Sequence, residues 1–212
     1  MPKPLVMLGA GGHSNVLAEL LLAEGRNIIA IVSPKEVTDS SPLSGIARLT
    51  SDESVLEVYQ PEQVELVNGI GSIPMNNTRL KVFNYFSEHG YYFASVISPY
   101  AMLSKSIVIA EGVQVMSGAI LQSNANIGVN SIINSGAIIE HDCSIGAHNH
   151  IAPGATLSGG VITGRQVHIG TGANIIQGIE IGHQAIVGAG CTVVRDVPEN
   201  QVIIPAHNRI LR

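Results

Sequence analysis

Ala137-Ile138-Ile139-Glu140-His141-Asp142-Cys143-Ser144-Ile145-Gly146-Ala147-His148-Asn149-His150-Ile151-Ala152-Pro153-Gly154 carries an aliphatic side chain at every sixth position: Ile139, Ile145 and Ile151. The same beat runs outward in both directions, from Ile97, Leu103, Ile109, Val115, Leu121, Ile127 and Ile133 to Leu157, Ile169, Ile175, Ile181, Val187 and Val193. Sixteen of the seventeen frame positions are aliphatic, and Thr163 is the single lapse. A helix would show spacings of three and four, and a half-buried strand would alternate by two. A period of six fits neither and predicts a hexapeptide parallel β-helix. The residue two before the frame position is small or aliphatic, as at Ala119, Ala125, Ala137, Cys143 and Ala155. The residue just after it is often glycine, as at Gly128, Gly146, Gly164 and Gly182. Each face is therefore read as a short strand with two inward side chains, followed by a turn. Three faces make a coil, so residues eighteen apart stack in lines at the spacing of sheet neighbours.

Composition agrees with a narrow prism. Hydrophobic residues make up 45% of the 212-residue chain, aromatics only 4%, and tryptophan is absent. That length allows one or two domains. The net charge of −5 provides no basic footprint, which argues against a nucleic-acid partner. The two cysteines, Cys143 and Cys191, sit at the inward small-residue position and read as buried reduced thiols, not as a disulfide framework. No signal peptide and no long apolar span is read. A soluble cytoplasmic protein without membrane insertion is expected.

Residues 1–95 follow a different pattern. Leu5-Val6-Met7-Leu8 is a buried strand, Gly9-Ala10-Gly11-Gly12-His13-Ser14 a glycine-rich turn, and Val16, Leu17, Leu20 and Leu21 recur at helical spacing up to Gly25. The glycines let a ligand approach the backbone, and the helix start favours an anion such as a phosphate. Ser14 stands where a dinucleotide fingerprint would place its third glycine. Further strands are expected at Ile28–Val32, Val64–Asn68 and Tyr92–Ile97, and helices over 51–60 and Arg79–His89. Alternating strands and helices predict a small Rossmann-like α/β parallel sheet over 1–95, followed by the prism over 96–212. Ligands of such sheets sit at the carboxyl ends of strands, where Gly11-Gly12 and Gly69-Ile70-Gly71 fall. After Val193 the repeat ends, and the tail from Pro205 to Arg212 is expected to cap the prism.

The Gly-Ala-Gly-Gly-His turn together with Glu140-His141-Asp142 in the repeat resembles the hexapeptide-repeat sugar O- and N-acyltransferases of the sialic acid O-acetyltransferase group. The chain is most similar there to acetyl-CoA-dependent N-acetyltransferases of nucleotide-linked 4-amino-sugars. The resemblance implies a left-handed parallel β-helix, against the usual right-handed crossover rule. It implies acetyl-CoA as co-substrate, no metal, and a UDP-4-amino-sugar type of acceptor destined for surface glycan. It also implies a homotrimer with sites between subunits. An O-acetyltransferase of the sialic acid type, with a hydroxyl acceptor, is the alternative on the same scaffold.

An imidazole suits the proton transfer that acyl transfer to an amine requires, so His141 is expected to be the general base. The resemblance implies an acidic residue directly after it. Here that residue is Asp142, shorter than the usual glutamate. His150 is implied near the thioester, with Gly159, Thr171 and Ala189 along the CoA edge and Asn134 near the acceptor amine. His168, eighteen beyond His150, is expected as a surface neighbour. Gly11, Gly12, His13 and Gly71 match the turns that hold the nucleotide diphosphate. Where the family carries two aspartates after the second strand, this chain has Ser33-Pro34, so Ser33 takes that position. A zinc hydrolase on a hexapeptide prism would need three close-set histidines. His141, His148, His150, His168 and His183 lack that spacing. A purely structural solenoid would show flat threonine rows, and this prism has few.

Overall fold

The computed structural model describes residues 2–205. The cap expected from Pro205 onward therefore lies, apart from Pro205 itself, outside the described residues. The chain divides into two compact units, Met1–Val96 and Ile97–Arg212.

The first unit contains β1 (Leu5–Leu8), α1 (Gly12–Ala23), β2 (Ile28–Val32), β3 (Ala47–Leu49), α2 (Glu53–Val58), β4 (Glu65–Asn68) and α3 (Thr78–Glu88). All pairings are parallel, in the order β3-β2-β1-β4. Strands β1, β2 and β4 are buried along almost their whole length, which is why β1 and β2 read as unbroken apolar runs. The chain steps from β1 to β2 to β3 on one side, then returns to the far side of β1 for β4. The order therefore reverses between β1 and β4, and a ligand crevice forms at such a point. Two sequence expectations need correction. β3 is an edge strand whose Ala-Arg-Leu carries no alternation, so periodicity did not mark it. The segment Tyr92–Ile97 is not one strand. Phe93 makes a single bridge to Leu66, and Val96–Ile97 already begins the prism.

The second unit is a parallel β-helix of two-residue strands in three sheets of seven, six and five. The first sheet starts at Val96–Ile97 and includes His150–Ile151, the second starts at Met102–Leu103 and includes Ile138–Ile139, and the third starts at Val108–Ile109 and includes Ser144–Ile145. Register follows the eighteen-residue rule: Ile133 pairs Ile151, Ile139 pairs Leu157, and His150 pairs His168. Frame residues and their inward partners, including the free Cys143 and Cys191, form one continuous core. Each fully buried aliphatic side chain contributes about 1.5–3 kcal/mol.

The lapse at Thr163 has a partner set. Thr163 Oγ1 accepts from Asn149 Nδ2 at 2.6 Å and from the Gly146 N–H at 3.1 Å. Asn149 Oδ1 in turn accepts from the Val167 N–H at 2.7 Å, and the Asn149 N–H donates to Ser131 Oγ at 3.0 Å. Every inward polar group of this patch is thus satisfied, as a buried polar cluster requires.

Glycines serve two separate purposes in the prism. At the corner between the first and second sheets, Gly118, Gly136, Gly154, Gly172 and Gly190 have φ of 64–73°. On the third sheet, a Cβ added to Gly146 would lie 2.6 Å from the Gly164 carbonyl carbon, and one added to Gly128 would lie 2.6 Å from the Ala147 nitrogen. There the next coil leaves no room for a side chain.

Candidate active site

His141 and Asp142 occupy the corner between the second and third sheets. Asp142 adopts φ 60°, a left-handed turn position that Asp and Asn tolerate better than most residues. This turn brings Asp142 Oδ2 to 2.8 Å from His141 Nδ1. A carboxylate only accepts, so Nδ1 carries the proton and Nε2 keeps its lone pair. Both side chains are more than half exposed. The hydrogen bond from His141, and after it one from Asn124, holds the Asp142 carboxyl below the usual carboxylate range. The aspartate is therefore an ionised partner throughout the range in which an imidazole titrates.

Gly159, one coil beyond His141, is the floor of this corner. A Cβ there would sit 2.6 Å from both Cε1 and Nε2 of the imidazole. The ring lies directly over the glycine, and any side chain would lift it. Gly159→Ala is expected to lower kcat by about 10–100-fold, since a displacement near 1 Å can cost that much. The melting temperature should stay within about 2 °C, because the displaced atoms end a flexible side chain and not a backbone. A thermal melt beside steady-state kinetics checks both. Unchanged kcat would refute the role of the floor.

Asn134, His150 and His168 are assembled elsewhere, on the first sheet and the turn that leaves it. Asn134 Oδ1 accepts from the Ser135 N–H at 2.8 Å, which turns Nδ2 toward His150 Nε2 at 3.1 Å. His150 is largely buried, and its ring meets that of His168 edge-on with centroids 4.9 Å apart. His168 is half-buried, not the surface residue expected, because its strand side chain stacks on that of His150. Burial pushes its imidazole pKa down, so it is neutral at pH 7. Thr171 and Ala189, with Pro153, precede the left-handed glycines Gly154, Gly172 and Gly190 in an eighteen-residue row, so this edge carries little side-chain bulk.

In the α/β unit, Gly11 is the extended N-cap of α1 and has no side-chain cap, and no acidic residue lies in the first turn. Added Cβ atoms at Gly11 and Gly12 would meet nothing within 4 Å, so the space above the helix start is open. Gly71 lies across from His13, whose Cβ is 3.5 Å from where a Gly71 Cβ would be. The two glycine turns thus face each other at the carboxyl ends of β1 and β4. Ser33 Oγ is engaged locally, donating to the Lys35 carbonyl at 2.7 Å.

Three residues of these sites were given no role from the sequence. Asn124 donates to Asp142 Oδ1 at 3.0 Å; it lies eighteen before Asp142, so the stacking rule could have found it. Ser14, buried, donates to the Gly69 carbonyl at 2.9 Å and ties the two glycine turns together. Arg79 reaches from α3 to donate to the carbonyls of Asn68 and Ile70 at 2.8 and 2.7 Å. Burial pushes its guanidinium pKa down to about 9, which still leaves it charged at pH 7. No sequence pattern marks Arg79, because these two acceptors are main-chain atoms. Among the described residues no group of three His, Cys, Asp or Glu side chains could hold a metal ion, and no helix is long and apolar enough to cross a membrane.

A parallel hexapeptide prism with a carboxylate-held imidazole on its corner defines an acyltransferase of the hexapeptide-repeat class. Residues 4–86 match the PglD N-terminal domain family. PerB from Caulobacter crescentus, solved in complex with CoA and GDP-perosamine, is 36% identical over 94% of this chain and 93% of its own, with a TM-score of 0.84. The acetyltransferase domain of PglB from Neisseria gonorrhoeae, solved with acetyl coenzyme A, is 32% identical over 95% of this chain and 96% of its own, with a TM-score of 0.83. A histidine-to-asparagine variant of perosamine N-acetyltransferase from Caulobacter crescentus, in complex with CoA and GDP-perosamine, is 35% identical over 94% and 92%, with a TM-score of 0.83. No curated protein sequence matches the chain. The chain belongs to the hexapeptide-repeat sugar acetyltransferases.

Proposed function

We propose that this enzyme transfers the acetyl group of acetyl-CoA to the amino group of a nucleotide-linked amino-sugar, with His141 as general base, as a step in glycan synthesis. The observation that carries the proposal is the His141–Asp142 pair, in which the 2.8 Å bond at Nδ1 leaves Nε2 as the acceptor. The amine nitrogen attacks the thioester carbonyl, a C–N bond forms and the C–S bond breaks. His141 Nε2 takes the amine proton and returns it to the departing sulfur, giving the amide and CoA thiol. The Gly159 N–H, which has no partner among the described residues, is available to the thioester oxygen as negative charge develops there. The row Pro153, Thr171 and Ala189, beside side-chain-free turns, suits the extended arm of CoA. The crevice of the α/β unit, with Gly11, Gly12, His13 and Gly71, suits a nucleotide diphosphate at a helix start. The related N-acetyltransferase with one histidine replaced still holds CoA and GDP-perosamine, which fits a histidine used for chemistry more than for binding.

A second copy of the chain belongs to this reading. His141 lies on one corner of the prism, whereas Asn134 and His150 lie on another sheet and its turn, so one chain does not bring them together. On the sheet leading into the His141 corner, the outward row Met102, Ile120 and Ile138 is apolar and only partly buried. Such a row suits contact with a neighbouring protomer. Light scattering should give three chain masses, and a monomer at assay concentration would oppose the shared site. The activity test uses acetyl-CoA with GDP- and UDP-linked 4-amino-sugars beside sialic acid. Amide formation on a nucleotide sugar is the expected result, and acetylation confined to sialic acid would replace this reading with the O-acetyltransferase.

A further inference from the structure

The aspartate after His141 is one methylene shorter than a glutamate and sits at an exposed corner. A carboxylate there would ordinarily exchange among rotamers and hold the imidazole only part of the time. Here both of its oxygens are committed. Oδ2 accepts from His141 Nδ1 at 2.8 Å, and Oδ1 accepts from Asn124 Nδ2 at 3.0 Å. Two bonds at the two oxygens fix the plane of the carboxylate as well as its position. Asn124 is itself held, because its main-chain N–H donates to Ser106 Oγ at 3.0 Å. Ser106, Asn124 and Asp142 are eighteen apart, so the three form one ladder along the corner and end at the imidazole. Asn124 and Asp142 share the left-handed turn, with φ of 61° and 60°, which aims both side chains the same way one coil apart.

We propose that Asn124 is a positioning residue: it locks the Asp142 carboxylate against His141 Nδ1 and so makes good the shorter reach of the aspartate. The inference rests on the reading of His141 as the base. It adds a residue of the preceding coil whose side chain bonds the carboxylate and acts on the imidazole only through it. The Asp142 carboxyl is held down first by His141 and second by Asn124, in keeping with the two bonds.

The test uses glycine replacements, because glycine adopts φ near +60° without strain and removes only the side chain. Asn124→Gly, Asp142→Gly and the double variant are compared in the full chain. Asn124→Gly should lower kcat for acetyl transfer by about tenfold, with KM for both substrates within about twofold. In the Asp142→Gly background the same change should have no further effect, since a residue acting only through Asp142 is silent without it. Nitrogen-15 NMR of the His141 ring, assigned with His141→Asn, supplies a readout independent of activity. The Nδ1–H tautomer should lose population in Asn124→Gly and in Asp142→Gly alike. An unchanged tautomer ratio in Asn124→Gly, or an equal loss of kcat with and without Asp142, would overturn the inference. If His141→Asn kept full turnover, the base assignment would fall instead, and the tautomer measurement would still decide for or against Asn124.

Discussion

His141→Ala is expected to lower kcat by about 10²–10⁴-fold, the usual contribution of a positioned general base. The melting temperature should not move. The side chain is more than half exposed and lies outside the core cluster, and an exposed ion pair adds little to stability. His141→Asn should lose as much, because an amide can still donate to Asp142 but cannot take a proton from an amine. The pH profile separates the two members of the pair. The Asp142 carboxyl is held below its ordinary value of 3.8, so the ionised form persists as pH falls from 8 to 5 and is lost only below that value. A fall of kcat/KM across that window therefore does not come from protonation of Asp142. KM for acetyl-CoA should change by less than about threefold, since the interaction removed is made in the transition state. Turnover of His141→Ala within threefold of the wild type would end the catalytic account while leaving the prism intact.

The prism was legible because a solenoid repeats its own constraint. Each coil must place two side chains inward per face, so the frame Ile139, Ile145 and Ile151 predicts its successors, and eighteen-residue stacking predicts that His150 lies on His168. The rule was applied to His150 and His168 and to the row Pro153, Thr171 and Ala189 but not to Asp142, and the same arithmetic leads from Asp142 to Asn124. His168 shows another limit. Period six says which residues point inward, but an outward residue can still be covered, and nothing in the repeat says that His168 is. Thr163 looked like a lapse because its partners, Asn149 and the Gly146 N–H, are far apart in sequence terms and are only brought together by the coil. In the α/β unit, long apolar strands were readable and β3 was not, since Ala47-Arg48-Leu49 is an edge with one half-buried side chain. Ser14 and Arg79 act on carbonyls, and contacts to main chain leave no pattern of paired side chains to read.

Gly146→Ala should destabilise the prism by about 3 kcal/mol or more, and lower its melting temperature by about 6–12 °C. The physical cause is proximity of backbone to backbone. A Cβ at Gly146 would lie 2.6 Å from the Gly164 carbonyl carbon and 2.8 Å from the Thr163 oxygen, both on the next coil. Neither can move aside as a side-chain end can, because the Gly146 N–H donates to Thr163 O at 3.2 Å and the coils are fixed in register by Ile145 against Thr163. Room for the methyl could come only from parting two coils, and in a stack where each coil touches only its neighbours that divides the core. Gly136→Ala is the discriminating control. Its φ of 65° strains an alanine by about 1–2 kcal/mol, yet no atom lies within 4 Å of the new methyl. If glycine were needed in this prism only for its left-handed turns, Gly136→Ala would be the more damaging change and Gly146→Ala nearly silent. Close approach predicts the reverse order, and calorimetry of the two variants decides between them. The outcome bears on catalysis too, since the seam parted at Gly146 is the one that holds Gly159 against the imidazole.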